Sequence, residues 1–139
     1  MTPISSVISF VKSKNPSYTV REARAIENEL PADNELPLIT IGYGPIRCRT
    51  PEANIAYDFY NTNGEDIIQS FFITIACKVS DFHVVFTNIF KTLTGQNPIE
   101  GERPHTSYTY VNGEPAGLNN TTFWFWSEWK IGFPTNTLL

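Results

Sequence analysis

Cysteine and histidine are scarce in this chain of 139 residues, and charge is sparse. The two cysteines, Cys48 and Cys77, are too far apart for a Cys-x-x-Cys motif and too few for a disulfide-stapled scaffold. The two histidines, His83 and His105, are too few for a histidine-rich metal site. No apolar run approaches the about 20 residues that a membrane-spanning helix needs. These absences exclude a zinc module, a disulfide-rich secreted domain and a helical membrane protein.

Length and charge limit the alternatives further. A chain of 139 residues is long enough for one domain, so residues 1–139 are predicted to share a single core. The net charge of −4 has the wrong sign for a general nucleic-acid or anionic-membrane binder. The first residues lack the basic and apolar regions of a signal peptide, so synthesis and assembly in the cytoplasm are expected.

Sequence signatures of catalysis are also missing. There is no glycine-rich phosphate loop, no Gly-x-Ser-x-Gly elbow and no His-Glu-x-x-His helix. The neighbouring acidic residues, such as Glu65 with Asp66 and Glu100 with Glu102, are interpreted as solvated surface charge. Cys77 falls on the apolar face of a predicted strand and is expected to be inert. We therefore predict a protein that is not an enzyme and has no catalytic, cofactor or metal site.

Hydrophobic periodicity predicts the elements of the first half. Thr2 and Pro3 start an amphipathic helix that ends at Lys14, with Thr2 as its cap. A weak strand follows from Tyr18, and a stronger one runs over 36–43 until Gly44 and Pro45 interrupt it. The stretch 45–66 has no period and is predicted to be a long loop, or an extension of both flanking strands into a hairpin arm.

The second half carries the strongest signals. An alternating strand over 67–79 leads into an amphipathic helix over 80–94, with Ser80 as its cap and Gly95 as its stop. A strand over 106–111, a turn region over 112–117 and a last strand over 121–133 complete the chain. This order predicts an α+β fold, in which an antiparallel sheet of four to five strands carries two helices packed on one face.

The last strand is apolar on both sides, although two helices on one face cover only half of a sheet. Trp124 and Trp126 are predicted to point away from the helices, together with Phe72 from the neighbouring strand. Two alternatives for what packs on this second face stay open. Either the loop 45–66 folds back over it with its aromatic residues, or a neighbouring subunit packs there. The candidate subunit interface therefore comprises Trp124, Trp126, Phe72, Tyr57, Phe59 and Tyr60.

The layout resembles that of the tail-terminator (neck terminator) proteins of tailed bacteriophages. The features that carry the resemblance are the short N-terminal helix over 2–14, the strand Leu-Pro-Leu-Ile-Thr-Ile at 36–41 and the long loop that follows. They also include the strand from Gln69 that runs directly into the helix over 80–94, and the terminal hairpin with its aromatic last strand. The resemblance covers nearly the whole chain and lies in layout rather than in a catalytic motif.

The resemblance implies a structural role in the virion tail or neck. Such proteins form rings, commonly hexameric, that cap the tail tube protein, end tail polymerisation and join the head-tail connector protein. DNA would pass through the lumen without sequence-specific binding, and no membrane would be involved. Two alternatives stay open: another small phage connector, stopper or tube protein, and a monomeric carbohydrate-binding module built on an aromatic platform.

Overall fold

The computed structural model describes residues 3–23, 31–48, 67–96 and 108–133. In chain order the elements are α1 (Ile4–Lys14), β1 (Thr19–Glu22), β2 (Leu38–Cys48), β3 (Ile67–Lys78), α2 (Phe82–Leu93), β4 (Thr109–Asn119) and β5 (Thr122–Phe133). Short 3₁₀ turns at Asp33–Glu35 and Val79–Asp81 precede β2 and α2. The α+β prediction is confirmed, and so is the order of its elements.

One sheet holds the five strands in the order β1-β2-β3-β5-β4. The three pairs that involve β3 or β5 are antiparallel, whereas β1 and β2 run parallel. A parallel pair requires a crossover, and the connection over 23–37 provides it. The sheet is therefore mixed rather than wholly antiparallel.

Both helices lie on one face of the sheet, as predicted. Alternate residues of β3 face them, and the same face continues across β2 and β5 through the strand register. The core is a continuous layer of buried side chains: Val7, Val11, Ile39, Ile41, Phe71, Ile73, Ile75, Val85, Ile89, Leu93, Trp129 and Ile131. We call this the helix face and the opposite one the outer face.

Two polar contacts tie the region of α1 to α2. The side-chain amide of Asn15 donates to Thr92 Oγ1 at 3.0 Å, and that of Asn88 donates to the Tyr18 hydroxyl at 2.7 Å. Asn15 is buried, and its amide also donates to the Val11 carbonyl at 3.1 Å. The end of α1 is thereby fixed against the last turn of α2.

Helix starts differ from the prediction in detail. Pro3, rather than Thr2, occupies the N-cap of α1, and its side chain makes no capping hydrogen bond. Thr2 lies outside the described residues. Ser80 does not cap α2, because the 3₁₀ turn over Val79–Asp81 leads the chain into the helix and places Asp81 at the N-cap. Gly95 ends α2 as predicted, with a φ of 76° that favours glycine.

Proline and glycine predict turns at two places where the strands instead continue. β2 continues through Gly44 and Pro45 to Cys48, because a register shift between Tyr43 and Ile46 leaves Pro45 outside the ladder. β4 likewise continues through 112–117, with register shifts at Tyr110/Asn112 and Pro115/Gly117. The hairpin turns at Asn120 and Thr121 instead, where Asn120 adopts a φ of 55°. Of the predicted loop 45–66, residues 49–66 lie outside the described ranges.

Candidate subunit interface

An aromatic plate of Phe72, Trp124 and Trp126 lies on the outer face. In the β3–β5 register Trp124 faces Ala76 and Trp126 faces Thr74, both of which point away from the helices. Phe72 is the diagonal neighbour of Trp126, and their ring centroids are 5.2 Å apart at an interplanar angle of 43°. All three side chains are partly buried. The predicted orientation of these residues is confirmed.

Strand alternation explains why the plate forms. β5 runs Phe-Trp-Phe-Trp over 123–126, so its phenylalanines and tryptophans fall on opposite faces. Phe123 and Phe125 pack against Phe82 of α2, each with ring centroids 4.9 Å away. The two tryptophans have no helix above them within the described residues. The same four-residue run therefore contributes to the packing under α2 and creates the apolar outer surface.

A polar border closes one end of the plate. Glu128 lies two residues beyond Trp126 on the outer face, and its side chain is only 12% exposed. Arg47 of β2 pairs with it at 3.7 Å from the opposite side of β3. Lys130 and Ser70 continue this polar half toward the far end of the strands. The apolar part of the outer face is thus restricted to the end near the hairpin turn.

The β1–β2 half of the outer face is covered by the chain itself. Arg21 pairs with Thr40 in the register and so lies on the outer face, where its guanidinium donates to Glu35 Oε2 at 3.1 Å. Glu35 belongs to the 3₁₀ turn of the crossover, which therefore passes over this side of the sheet. Leu38 and Thr40 are accordingly buried on the outer face.

Three predicted interface residues lie outside the described residues: Tyr57, Phe59 and Tyr60. His105 and the side chain of Cys48 lie outside them as well. The structure therefore brings together Phe72, Trp124 and Trp126 out of the six candidates.

Among the described residues, the groups with potential chemistry lie apart from one another. Burial raises the pKa of the Cys77 thiol to about 11, and the nearby charge of Asp81 adds to the shift, so this thiol stays protonated at neutral pH. His83 is exposed on α2. Across the described ranges, no cluster of three or more histidine, cysteine or acidic side chains could hold a metal ion. None of the helices described is long and apolar enough to span a membrane.

A second apolar surface was missed by the sequence analysis. Phe82, Phe86 and Phe90 recur every four residues along α2, and this periodicity predicts that they belong to its apolar stripe together with Val85, Ile89 and Leu93. They instead lean sideways over β5 and β4, where Phe86 and Phe90 contact Tyr110. Leu118 of β4 is 63% exposed beside Phe123. The sequence does carry a signal for this position. Val85, Ile89 and Leu93 mark the centre of the buried side of α2, and the phenylalanines are rotated to one side of that centre.

Comparison with known proteins adds no assignment. No protein-family model matches the sequence, and no curated protein shows significant similarity to it.

Proposed function

We propose that this protein is a non-enzymatic phage structural protein of the tail-terminator type, which assembles into a ring through the outer face of its sheet. The observation that carries the proposal is the aromatic plate. Phe72, Trp124 and Trp126 form a contiguous apolar surface on the face opposite both helices. Such a surface on a small domain is typical of a protein-protein contact.

The proposed role is binding rather than catalysis. A ring docked on the end of a tail tube offers no surface on which another tube ring can add, and its other side receives the head connector. The ring, its six copies and these partners follow from the resemblance in layout. The net charge of −4 is compatible with this role, because an acidic lumen would not retain passing DNA.

The assembly is tested by the mass of the purified protein in solution and by negative-stain images. The wild-type chain is expected to form rings with a mass several times 15.7 kDa. Changing Trp124 and Trp126 together to threonine should preserve the circular dichroism spectrum and yield monomers. Val84→Thr is the matched control, because Val84 is an exposed apolar residue on the solvent side of α2. A wild-type chain that stays monomeric would contradict the proposal.

The biological role is tested by particle assembly. Virions produced without this protein are expected to have tails of irregular length, or tails that lack heads. Normal particles would refute the terminator role. Assembly that stops before or after tube completion would instead identify another phage connector, stopper or tube protein.

The aromatic plate is also the observation that favours the alternative function, a carbohydrate-binding module. Sugars stack on exposed aromatic rings, and Trp126 lies beside polar groups such as Glu114 and Thr74. The 43° inclination between Phe72 and Trp126 breaks the plate into two planes, which favours interdigitation with protein side chains over a flat sugar platform. Saturable sugar binding by a stable monomer would support the module instead.

A further inference from the structure

We propose that the outer face receives an arginine side chain of a protein partner, which stacks on Trp126 and donates to the carboxylate of Glu128. The inference rests on the proposed function, in which the plate is a protein contact, and it adds the chemical group that the plate receives. A planar guanidinium suits both residues at once, because it stacks on aromatic rings and forms paired hydrogen bonds to carboxylates.

The carboxylate of Glu128 has few partners in its own chain. Its side chain is only 12% exposed, and its contact with Arg47 at 3.7 Å is the one polar contact that the described residues provide for it. This contact is too long to be a hydrogen bond. A carboxylate so far removed from water is stabilised by cationic donors, and both of its oxygens can accept them. Glu128 therefore favours a further cation over an anion or an apolar group.

The side chains nearest to Trp126 also favour a cation. In the strand register Trp126 lies between Thr74 of β3 and Glu114 of β4, and Glu128 follows two residues along the same face. Glu114 is exposed. Both charged neighbours of the indole are therefore acidic, so a cation above the ring is attracted by the ring and by both carboxylates.

The lysines of the outer face lie farther from the indole. Lys78 and Lys130 stand at opposite ends of the face, each four residues from Trp126 along the strand direction. Four residues of a strand span about 13 Å. Among the described residues the cation that lies over a ring is Lys14, over Phe10 of α1, so none of them lies over the plate.

Arg47 shows that Glu128 accepts a guanidinium. It reaches the carboxylate through Nη1 from the far side of β3, and its own side chain is 57% exposed. An exposed ion pair without a hydrogen bond is easily exchanged for another. An arginine that arrives from solvent above β5 can align two N–H groups with the two carboxylate oxygens and lie against the indole as well. It thus makes two contacts where Arg47 makes one.

The test is a titration with the peptide Gly-Arg-Gly, acetylated and amidated at its ends, followed through the indole N–H resonances of isotope-labelled protein. The same peptide with citrulline in place of arginine is the matched probe, because citrulline has nearly the same shape without the charge. We expect a saturable shift of the Trp126 resonance, and binding about tenfold weaker for the citrulline peptide. Trp129 is the internal control, since its buried Nε1 donates to Ser127 and should not shift.

Single variants locate the site. Glu128→Gln keeps the size of the side chain and should weaken arginine binding about tenfold, whereas Glu22→Gln should leave it unchanged. Glu22 is the matched control, because it is an exposed acid of β1, three strands away from β5. Arg47→Gln should strengthen binding about threefold, because it removes the competing guanidinium. Glu114→Gln, at an exposed position, should weaken binding about threefold and serves as the acidic variant if Glu128→Gln fails to fold.

The outcomes separate this proposal from the ring. The titration uses dilute protein whose mass is measured in parallel. A chain that is monomeric even at high concentration would refute the ring, whereas the arginine site would still be supported by the shift of Trp126. Equal affinity for the two peptides, or equal losses in Glu128→Gln and Glu22→Gln, would overturn the arginine site. If the ring persists on dilution, the arginine peptide is expected to dissociate it, and a ring that neither binds the peptide nor dissociates would overturn the site alone.

Discussion

The hydroxyl of Tyr43 accepts a hydrogen bond from the backbone N–H of Ile4 at 2.9 Å, so a side chain of β2 caps the first turn of α1. The first N–H groups of a helix have no partner within it, and the N-cap residue Pro3 supplies none. Tyr43 also contacts Phe71, with ring centroids 6.0 Å apart. One residue therefore anchors the start of the helix to the sheet.

Tyr43→Phe should remove this cap and keep the ring contact. We expect a loss of about 1 kcal/mol in the free energy of unfolding, measured by urea titration. Amide exchange should become faster at Ile4 and stay unchanged in α2. Wild-type stability in the variant would show that the hydrogen bond contributes nothing.

Two buried serines provide a matched pair. Ser127 Oγ donates to the Ile73 carbonyl at 2.9 Å and accepts from Trp129 Nε1 at 3.2 Å, whereas the buried Ser70 hydroxyl has no hydrogen-bond partner in the structure described. Ser127→Ala leaves the indole N–H without its partner and should cost about 1–3 kcal/mol. Ser70→Ala should leave the free energy of unfolding unchanged or raise it. Equal losses in the two variants would contradict this assignment.

The Cys77 thiol should respond to pH in one direction. Its pKa rises from an ordinary 9.0 to about 11 on folding, so the folded state holds the proton more tightly. This contribution to stability is complete below pH 9 and is lost as the pH rises toward 11. In a Cys48→Ser background, stability should therefore fall between pH 9 and 11 more steeply than in the variant that also carries Cys77→Ala.

The same background allows a direct test of burial. Iodoacetamide at pH 8 should modify Cys77 only after urea unfolds the protein, because the folded thiol is both buried and protonated. Rapid alkylation of the folded chain would show that the thiol is accessible.

Gly113 is expected to tolerate no side chain. An alanine Cβ there would meet the Tyr110 hydroxyl and would lie 2.8 Å from the ring of Phe125. Gly113→Ala should lower the free energy of unfolding by about 1–3 kcal/mol through overpacking. Adding Tyr110→Phe removes the closest atom, and the double variant should recover part of the loss in thermal unfolding. An absence of any loss in the single variant would mean that the strand shifts freely.

Periodicity was sufficient to predict the elements and the two faces of β5. The alternation over 67–78 and the four-residue recurrence over 82–93 are local signals, and each element formed where its pattern was clear. The orientations of Phe72, Trp124 and Trp126 followed from the same alternation. These predictions needed no knowledge of which strands are neighbours.

Predictions that depended on neighbouring strands were less accurate. Pro45 and the segment 112–117 predict turns, because a sequence does not show that β2 and β4 bulge against their neighbours and so continue through these residues. The strand order β1-β2-β3-β5-β4 also determines which strand lacks a helix above it. The sequence alone therefore does not show that Leu118 and Phe86 lie at an apolar surface, because this depends on the position of β4 at the edge of the sheet.

The irregular edge strand has a consequence for selectivity. β4 loses register twice, and Pro115 offers no N–H, so a foreign strand cannot add to it as a continuous ladder. Main-chain pairing accepts almost any extended sequence, whereas contacts between side chains accept only shapes that match. A protein whose edge strand is bent in this way can reach high concentration without templating fibrils, and its association is then limited to partners of the correct shape.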